Sequence, residues 1–524
     1  VRRAETIYFL SIIVLGVFLR VYNIGHSLGA HPDERHIVMT TEKLWEQGMN
    51  PKSFAYGSFP FYLLWFLGSA WGNYDTYFYV GRLFLGLIGF PLSCLLLIYI
   101  SRQVFRDVKP GIFASLFLAG NPFSIQLSRF FTVDPILLLA ALFTLGALFY
   151  ALEKPSWFRY SLVGLGFGLS LATKSSGLSL LVPIGVGILF VHAPWRRERF
   201  LYQTIGAVSC VGFVGLLTLF LAAPYQFLDF STFIKHQREQ ISMVAGHWIP
   251  PYTVQYIGTK PVFYALEQMI FHTIGIEVSV LVLLGIIYSL FTKNIKALIL
   301  ILWIPALFIP SATQLVKFPR YLLPIYPILF LFAGLITYEI LRRTGKVQYL
   351  LVCLIAFVGF VRGFAQFSVY LTPHSYEVAS KWIFENIEPG AVIVSPHWDD
   401  RLPISLPGVE PKAYQYRELP IYETDNEEKR VKMEAILNSS DYVVFPTQRI
   451  PFSIKEDRYP DSAKLLKDLF NEELGFKLVY KYHFVPNFLG LNFDTLYADE
   501  SLSVYDHPPV WIFKKRNSNH ENEP

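Results

Sequence analysis

The stretch "GAHPDERHIV" at 29–38 crowds His31, Asp33, Glu34, Arg35 and His36 directly behind an apolar run. Pro32 followed by Asp33 and Glu34 makes a good helix start. Proline is tolerated in the first turn, and acids favour the positive end of the helix dipole. A carboxylate in such a place is also what a hydroxyl nucleophile needs to lose its proton. Three further stretches carry cations at the edges of apolar runs: "LSRFFTVDP" with Arg129 and Asp134, "LATKSSGL" with Lys174, and "QLVKFPRYLLPIYP" with Lys317 and Arg320. Cations at a membrane surface suit an anionic lipid headgroup. Each residue also has a plain structural role open to it. Arg129 can pair with Asp134 or snorkel to the headgroups, Lys174 can turn a tight hairpin, and Arg320 can anchor a span at the interface.

The elements that must position these groups are membrane spans. The chain of 524 residues is 53% hydrophobic and only 16% charged, and its mean hydropathy is +0.38. Soluble domains carry about 25% charged residues, so this is a polytopic α-helical membrane protein with a polar part attached. The net charge of +5 is small and spread beside apolar runs, which argues against nucleic acid as a partner. Cys94, Cys210 and Cys353 all lie in apolar runs, so no disulfide framework is implied.

A span needs about 20 apolar residues. By that measure helices are expected near 4–22, 78–100, 110–127, 133–151, 158–173, 175–192, 200–222, 267–291, 295–311, 320–341 and 347–370, about eleven in all. The first lacks a small-residue cleavage site and reads as a retained span. Lys and Arg are dense in one set of short loops (Arg2, Arg3, Arg102, Arg106, Lys109, Lys154, Arg159, Arg196, Arg197, Arg199, Lys293, Lys296, Arg342, Arg343, Lys346). That set is expected on the cytoplasmic side. The loops 23–77 and 223–266 and everything after 371 then face outward. Arg129, Lys174, Lys317 and Arg320 run against this bias, and ionisable residues within or beside spans are often functional.

Within the first outer loop, Ile37, Thr41, Leu44 and Trp45 share a helical face and suggest an interfacial helix. The run 59–71 is apolar but too short to span. Domain boundaries are expected at 1–371 for the membrane domain and 372–524 for a soluble one. In the tail, helix-like 375–387, 427–437 and 462–474 alternate with strand-like 391–395, 441–445, 477–485 and 509–515. That pattern predicts an extracytoplasmic α/β domain with a largely parallel sheet.

"HPDE", "SRFFTVDPILLL", "LATKSSGLSLLVP" and "PRYLLPIYP", in this order and at these positions, resemble the GT-C glycosyltransferases that use a polyprenyl-phosphate sugar donor, especially the protein O-mannosyltransferase and aminoarabinose-transferase branches. "PPYTVQYIGTKPVFY" and "SVYDHPPVWIFKK" are similar to a bacterial and archaeal subgroup. The resemblance implies a multi-pass protein of a prokaryotic cytoplasmic membrane, with its active site outside. It implies transfer of a sugar from a lipid phosphate to a hydroxyl of a lipid, glycan or protein, in one inverting step. It assigns the base to Asp33 and the donor phosphate to Arg320 and Lys174, with Arg129 and Lys317 next. Glu34 is expected to support Asp33 by orienting the loop through Arg35 or Arg129, because neighbours on a helix point about 100° apart. His247, Trp248 and Tyr256 in the aromatic outer loop are candidates to cover the sugar or acceptor. Some relatives bind a divalent metal near the acidic loop, and His31, Asp33 and Asp134 are the candidate ligands here. The tail differs from the β-trefoil of eukaryotic protein mannosyltransferases. The rival readings are a transporter or flippase of a lipid-linked or small polar substrate, a non-catalytic membrane scaffold, and a lipid-pyrophosphate-dependent transferase, whose DxD-type acidic pattern "HPDER" does not match.

Overall fold

The computed structural model describes residues 3–70, 73–192, 200–343 and 347–516. Arg2, Arg196, Arg197, Arg199 and Lys346, used above for orientation, lie outside the described residues. The chain divides into two compact units. One holds the residues up to Ala245 with Lys260–Phe367 and Asn487–Leu491, and the other holds Gly246–Thr259, Ser368–Pro486 and the residues from Asn492 on.

The first unit is a polytopic helical membrane domain. Among the described residues seven helices are long and apolar enough to cross a membrane: Arg3–Val21, Tyr74–Phe105, Val133–Glu153, Leu201–Ala222, Ile295–Thr313, Pro319–Arg343 and Leu350–Val369. Phe263–Thr273 and Ile276–Phe291 make an eighth if taken together, but they are bent by 117°. The bend falls at Gly275, whose φ of +95° is open to glycine at no steric cost. The remaining expected spans are shorter or broken helices. Residues 110–127 break after Gly120, where Asn121 caps Pro122–Leu127 by accepting from the Ser124 N–H at 2.8 Å. A proline cannot continue the hydrogen-bond ladder, so the last carbonyls of Lys109–Gly120 need other partners. Arg20 supplies them, donating to the carbonyls of Leu118 (2.8 Å) and Ala119 (3.1 Å). Residues 158–173 and 175–192 become Trp157–Thr173 and a 3-10 turn leading into Leu181–Val191.

The expected interfacial helix is Pro32–Glu42, and it packs into the protein. Ile37, Val38 and Leu44 are buried in one cluster with Phe61 and Leu64 of Phe59–Gly68 and with Tyr77 and Phe78. Trp45 departs from the expectation: it is exposed and stacks on Trp65.

The second unit is an α/β domain. The five strands of its main sheet are Val392–Pro396, Gln415–Leu419, Tyr442–Phe445, Phe476–Tyr482 and Val510–Lys515, numbered β1 to β5 in that order. Their order across the sheet is β2-β1-β3-β5-β4. Alternating side chains feed two cores, Val443 and Phe445 on one face and Tyr442 and Val444 on the other. The sheet is mixed rather than largely parallel: β1 pairs parallel with β2 and β3, and β5 runs antiparallel between β3 and β4. A parallel insertion needs a long crossover, usually a helix. The chain before β5 offers only the one-turn helix Glu500–Ser503. The strand β2, "QYREL", was not foreseen, because it is an exposed edge without apolar alternation.

Candidate active site

The first turn of Pro32–Glu42 is built as its sequence suggests. His31 is the N-cap, its Nδ1 accepting from the Asp33 N–H at 3.2 Å, and Pro32 opens the helix. From this turn Asp33 and Glu34 leave in different directions and meet different partners.

Asp33 reaches Arg320. Its Oδ2 lies 3.1 Å from the Arg320 guanidinium, and its Oδ1 accepts from the Tyr56 hydroxyl at 2.8 Å. Arg320 also stands 3.9 Å from Asp134, whose other oxygen accepts from Lys174 at 2.7 Å. Four segments far apart in the chain thus join in one line of alternating charge, Asp33–Arg320–Asp134–Lys174. Aromatic faces back the two cations. The Arg320 guanidinium lies 3.9 Å from the Phe318 ring, and the Lys174 amine lies 3.9 Å from the Tyr321 ring.

Local sequence explains each placement. Asp134 sits in the first turn of Val133–Glu153, where the helix dipole favours an acid. Lys174 ends Trp157–Thr173 in extended backbone. Arg320 lies in the 3-10 turn Pro319–Ile325. Tyr56 comes from the loop before Phe59–Gly68. Gly57 donates there to the Thr173 carbonyl at 3.0 Å, so close that a Cβ on Gly57 would lie 1.9 Å from the Ala172 oxygen. The same loop is held by Phe230–Ala245: the Phe54 N–H donates to His236 Nδ1 at 3.2 Å, and Gln237 donates to the Phe54 carbonyl at 2.7 Å.

Burial alone would raise the Asp33 pKa. The Arg320 charge, His31, the Tyr56 hydroxyl and Lys174 together outweigh it and bring the value down to about 2. Burial and the Asp33 charge push the Tyr56 phenol up, so it stays protonated and donates. Asp33 is therefore held as an anion by Arg320 and Tyr56.

Glu34 is closed off. Arg82 grips it with two bonds, Nε to Oε1 at 2.8 Å and Nη2 to Oε2 at 2.6 Å, and the Phe131 N–H adds a third at 2.8 Å. Both side chains are fully buried. Arg82 also donates to the carbonyls of Ile24, His26 and Ser27. Where Arg35 or Arg129 was expected, the partner shown for Glu34 is Arg82, a charge inside an apolar run and visible as such in the sequence. Tyr56 left no comparable signal in its aromatic stretch.

Arg129 is not paired with Asp134 in the ion chain. It donates to the carbonyls of Arg20 (3.0 Å), Tyr22 (2.8 Å) and Asn23 (2.6 Å), closing the end of the first helix. Lys317 is buried and donates to the Leu315 carbonyl at 2.9 Å. His247, Trp248 and Tyr256 belong to the second unit. Trp248 is exposed there, whereas Tyr256 is fully buried and donates to Asp499 at 2.9 Å.

The metal candidates already hold other groups, while among the described residues the buried Asp134 Oδ2 accepts no hydrogen bond. Asp33 and Asp134 already share Arg320, Asp134 also holds Lys174, and the Nδ1 of His31 caps the helix. Among the described residues no three His, Cys, Asp or Glu side chains gather as a metal site.

Residues 59–220 match the family model described as dolichyl-phosphate-mannose-protein mannosyltransferase. Among curated proteins none matches the sequence. Several solved structures share the fold. The archaeal oligosaccharyltransferase AglB from Archaeoglobus fulgidus, in complex with an inhibitory peptide and a dolichol-phosphate, is 14% identical at a TM-score of 0.52, over 92% of this chain and 73% of that one. The same organism's oligosaccharyltransferase with a tethered acceptor peptide is 13% identical at 0.55, over 98% and 89%. ArnT from Cupriavidus metallidurans, bound to undecaprenyl phosphate, is 14% identical at 0.52, over 76% and 84%. One structure of the Archaeoglobus enzyme is a complex with Zn and sulfate. The chain therefore shares the fold of these enzymes: a polytopic helical membrane domain and a C-terminal α/β domain.

Proposed function

We propose that the chain is an integral-membrane glycosyltransferase that moves a sugar from a polyprenyl-phosphate donor to a hydroxyl acceptor on the outer face of a prokaryotic cytoplasmic membrane. The observation that carries this reading is Arg320 lying between two carboxylates, 3.1 Å from Asp33 and 3.9 Å from Asp134. Its charge is engaged yet exchangeable. The fold likeness and the family match over residues 59–220 support the same class of reaction.

In this reading the donor phosphate takes over Arg320 and Lys174, whose aromatic backing holds both cations in place. Losing Arg320 removes what most strongly lowers the Asp33 pKa, so donor binding makes Asp33 a better base. The acceptor hydroxyl then attacks the anomeric carbon. Its oxygen forms the new glycosidic bond, its proton passes to Asp33, and the bond to the lipid phosphate breaks with its electron pair leaving on the phosphate. Arg320 and Lys174 stabilise the charge that develops there. The anomeric centre inverts once. Tyr56 orients Asp33.

The test is transfer from a panel of polyprenyl-phosphate sugars by purified protein. Arg320→Ala is expected to raise the donor KM strongly, and Asp33→Asn to suppress turnover while leaving donor binding in place. Wild-type donor dependence in Arg320→Ala, or wild-type turnover in Asp33→Asn, overturns the assignment.

A further inference from the structure

The α/β unit carries a second polar cluster that the transfer reaction does not use. From β1 the chain turns to β2 on one side of the sheet, and from β3 it passes to β4 on the far side. The neighbours β1 and β3 are therefore where the winding reverses. In open α/β sheets ligands bind in the crevice outside the carboxyl ends of the strands at such a switch point. Two loops leave those ends here, 397–401 after β1 and 446–449 after β3.

The loops are tied together from within. The Asp399 side chain is fully buried. It accepts from the Thr447 hydroxyl at 2.7 Å and lies 3.8 Å from Arg449. Arg449 donates to Glu500 at 2.9 Å. Burial pushes the Asp399 carboxyl up to about 6, against the pull of Arg449. Between Thr447 and Arg449 sits Gln448, only 5% exposed. Among the described residues neither end of its amide has a hydrogen-bond partner, and the buried hydroxyl of Ser501, next to Glu500, has none either. An unmatched buried polar group destabilises the fold, so such groups call for an explanation. Beside Asp399 stands Trp398, 54% exposed and held at φ +74°. A bulky residue keeps that strained backbone only where the surroundings impose it, and ligand clamps are common places for it.

We propose that the crevice between loops 397–401 and 446–449 binds a neutral carbohydrate, whose ring face stacks on Trp398 and whose hydroxyls meet the Gln448 amide. The chemistry selects the ligand. An amide open at both ends asks for groups that donate and accept, as hydroxyls do. The two loops carry Arg401 and Arg449 beside Asp399 and Asp400, and both arginines are already engaged by carboxylates, Arg401 by Glu418 and Arg449 by Glu500, which disfavours phosphates and nucleotides. An exposed indole offers an apolar platform to the C–H face of a sugar. The Asp399–Arg449–Glu500 chain is a positioning network beneath the site. This inference concerns the α/β unit and does not rest on the transferase reading.

The test is titration of the full-length protein in detergent, without lipid donor, against methyl glycosides and short oligosaccharides of neutral hexoses and pentoses, read by saturation-transfer NMR. At least one is expected to bind saturably. Trp398→Gly, which relieves the backbone strain, is expected to weaken it about tenfold or more without lowering Tm. Gln448→Met is expected to lose binding while Tm holds or rises, the reverse of what a purely structural amide would give. Asp33→Asn is expected to bind as wild type, so failure of the transfer mechanism leaves this result standing. The proposal is overturned if no sugar saturates, if both crevice variants bind like wild type, if Asp33→Asn abolishes binding, or if only basic peptides bind.

Discussion

Asp33 and Glu34 are neighbours in one helical turn and end in opposite kinds of site. Glu34 is sealed: Arg82 grips both its oxygens, a backbone N–H completes the set, and neither side chain meets solvent. Asp33 keeps 17% of its side chain exposed, shares Arg320 with Asp134, and leans on a phenol. A fully satisfied buried pair fixes shape, because breaking it strands a charge. A shared, partly exposed pair can trade one partner for a substrate group of the same charge.

That contrast can be broken at either end. The largest effect is expected on turnover: Asp33→Asn should lower transfer by about 10²–10⁴-fold with little change in Tm, measured on purified protein with lipid-phosphate sugars. Glu34→Ala should do the opposite. Leaving Arg82 buried and unpaired should cost about 3–5 kcal/mol of stability, seen as a large drop in Tm or in yield, with the surviving folded protein still turning over. If Glu34→Ala is stable but inactive, the division of labour is wrong. Tyr56→Phe should lower kcat by about tenfold, near the worth of one hydrogen bond to a charged group, and leave donor KM close to wild type.

The smallest effect is on pH dependence. In the resting protein Asp33 sits at about 2 against an ordinary 3.8. The folded state holds fewer protons there than the unfolded chain. Its contribution to stability is thus complete above the ordinary value and is lost as pH falls through about 2. Near neutral pH the Asp33 pair should add no slope to stability. Once donor phosphate engages Arg320 the Asp33 pKa should rise. The acid limb of kcat is then expected at higher pH than that of kcat/KM, and coincident limbs would mean that Arg320 stays on Asp33 throughout.

How far the sequence could be read depended on whether the deciding interaction was local. The helix start at Pro32 was legible, since N-cap, proline and acids lie within four residues. Span positions were legible from hydropathy, but the 117° bend at Gly275 and the break after Gly120 were not. The partner of Glu34 was missed because Arg82 lies far along the chain inside an apolar run, where only packing brings it near. In the tail, apolar strands were found and the polar edge strand was not. The antiparallel entry of β5 depends on which gap in the sheet is open, which no local pattern records.

By itself, then, the sequence determined a membrane-spanning helical domain, an α/β domain and the residue types at their borders. These follow from hydropathy, charge and capping, which act over one or two helical turns. Only the tertiary structure decided which of two adjacent carboxylates is sealed and which stays open. It also decided that Arg129 closes a helix while Arg320 joins Asp33 and Asp134. The reason is geometric: on a helix neighbouring side chains diverge by about 100°, so small differences in what packs against each face separate a structural charge from one that can react.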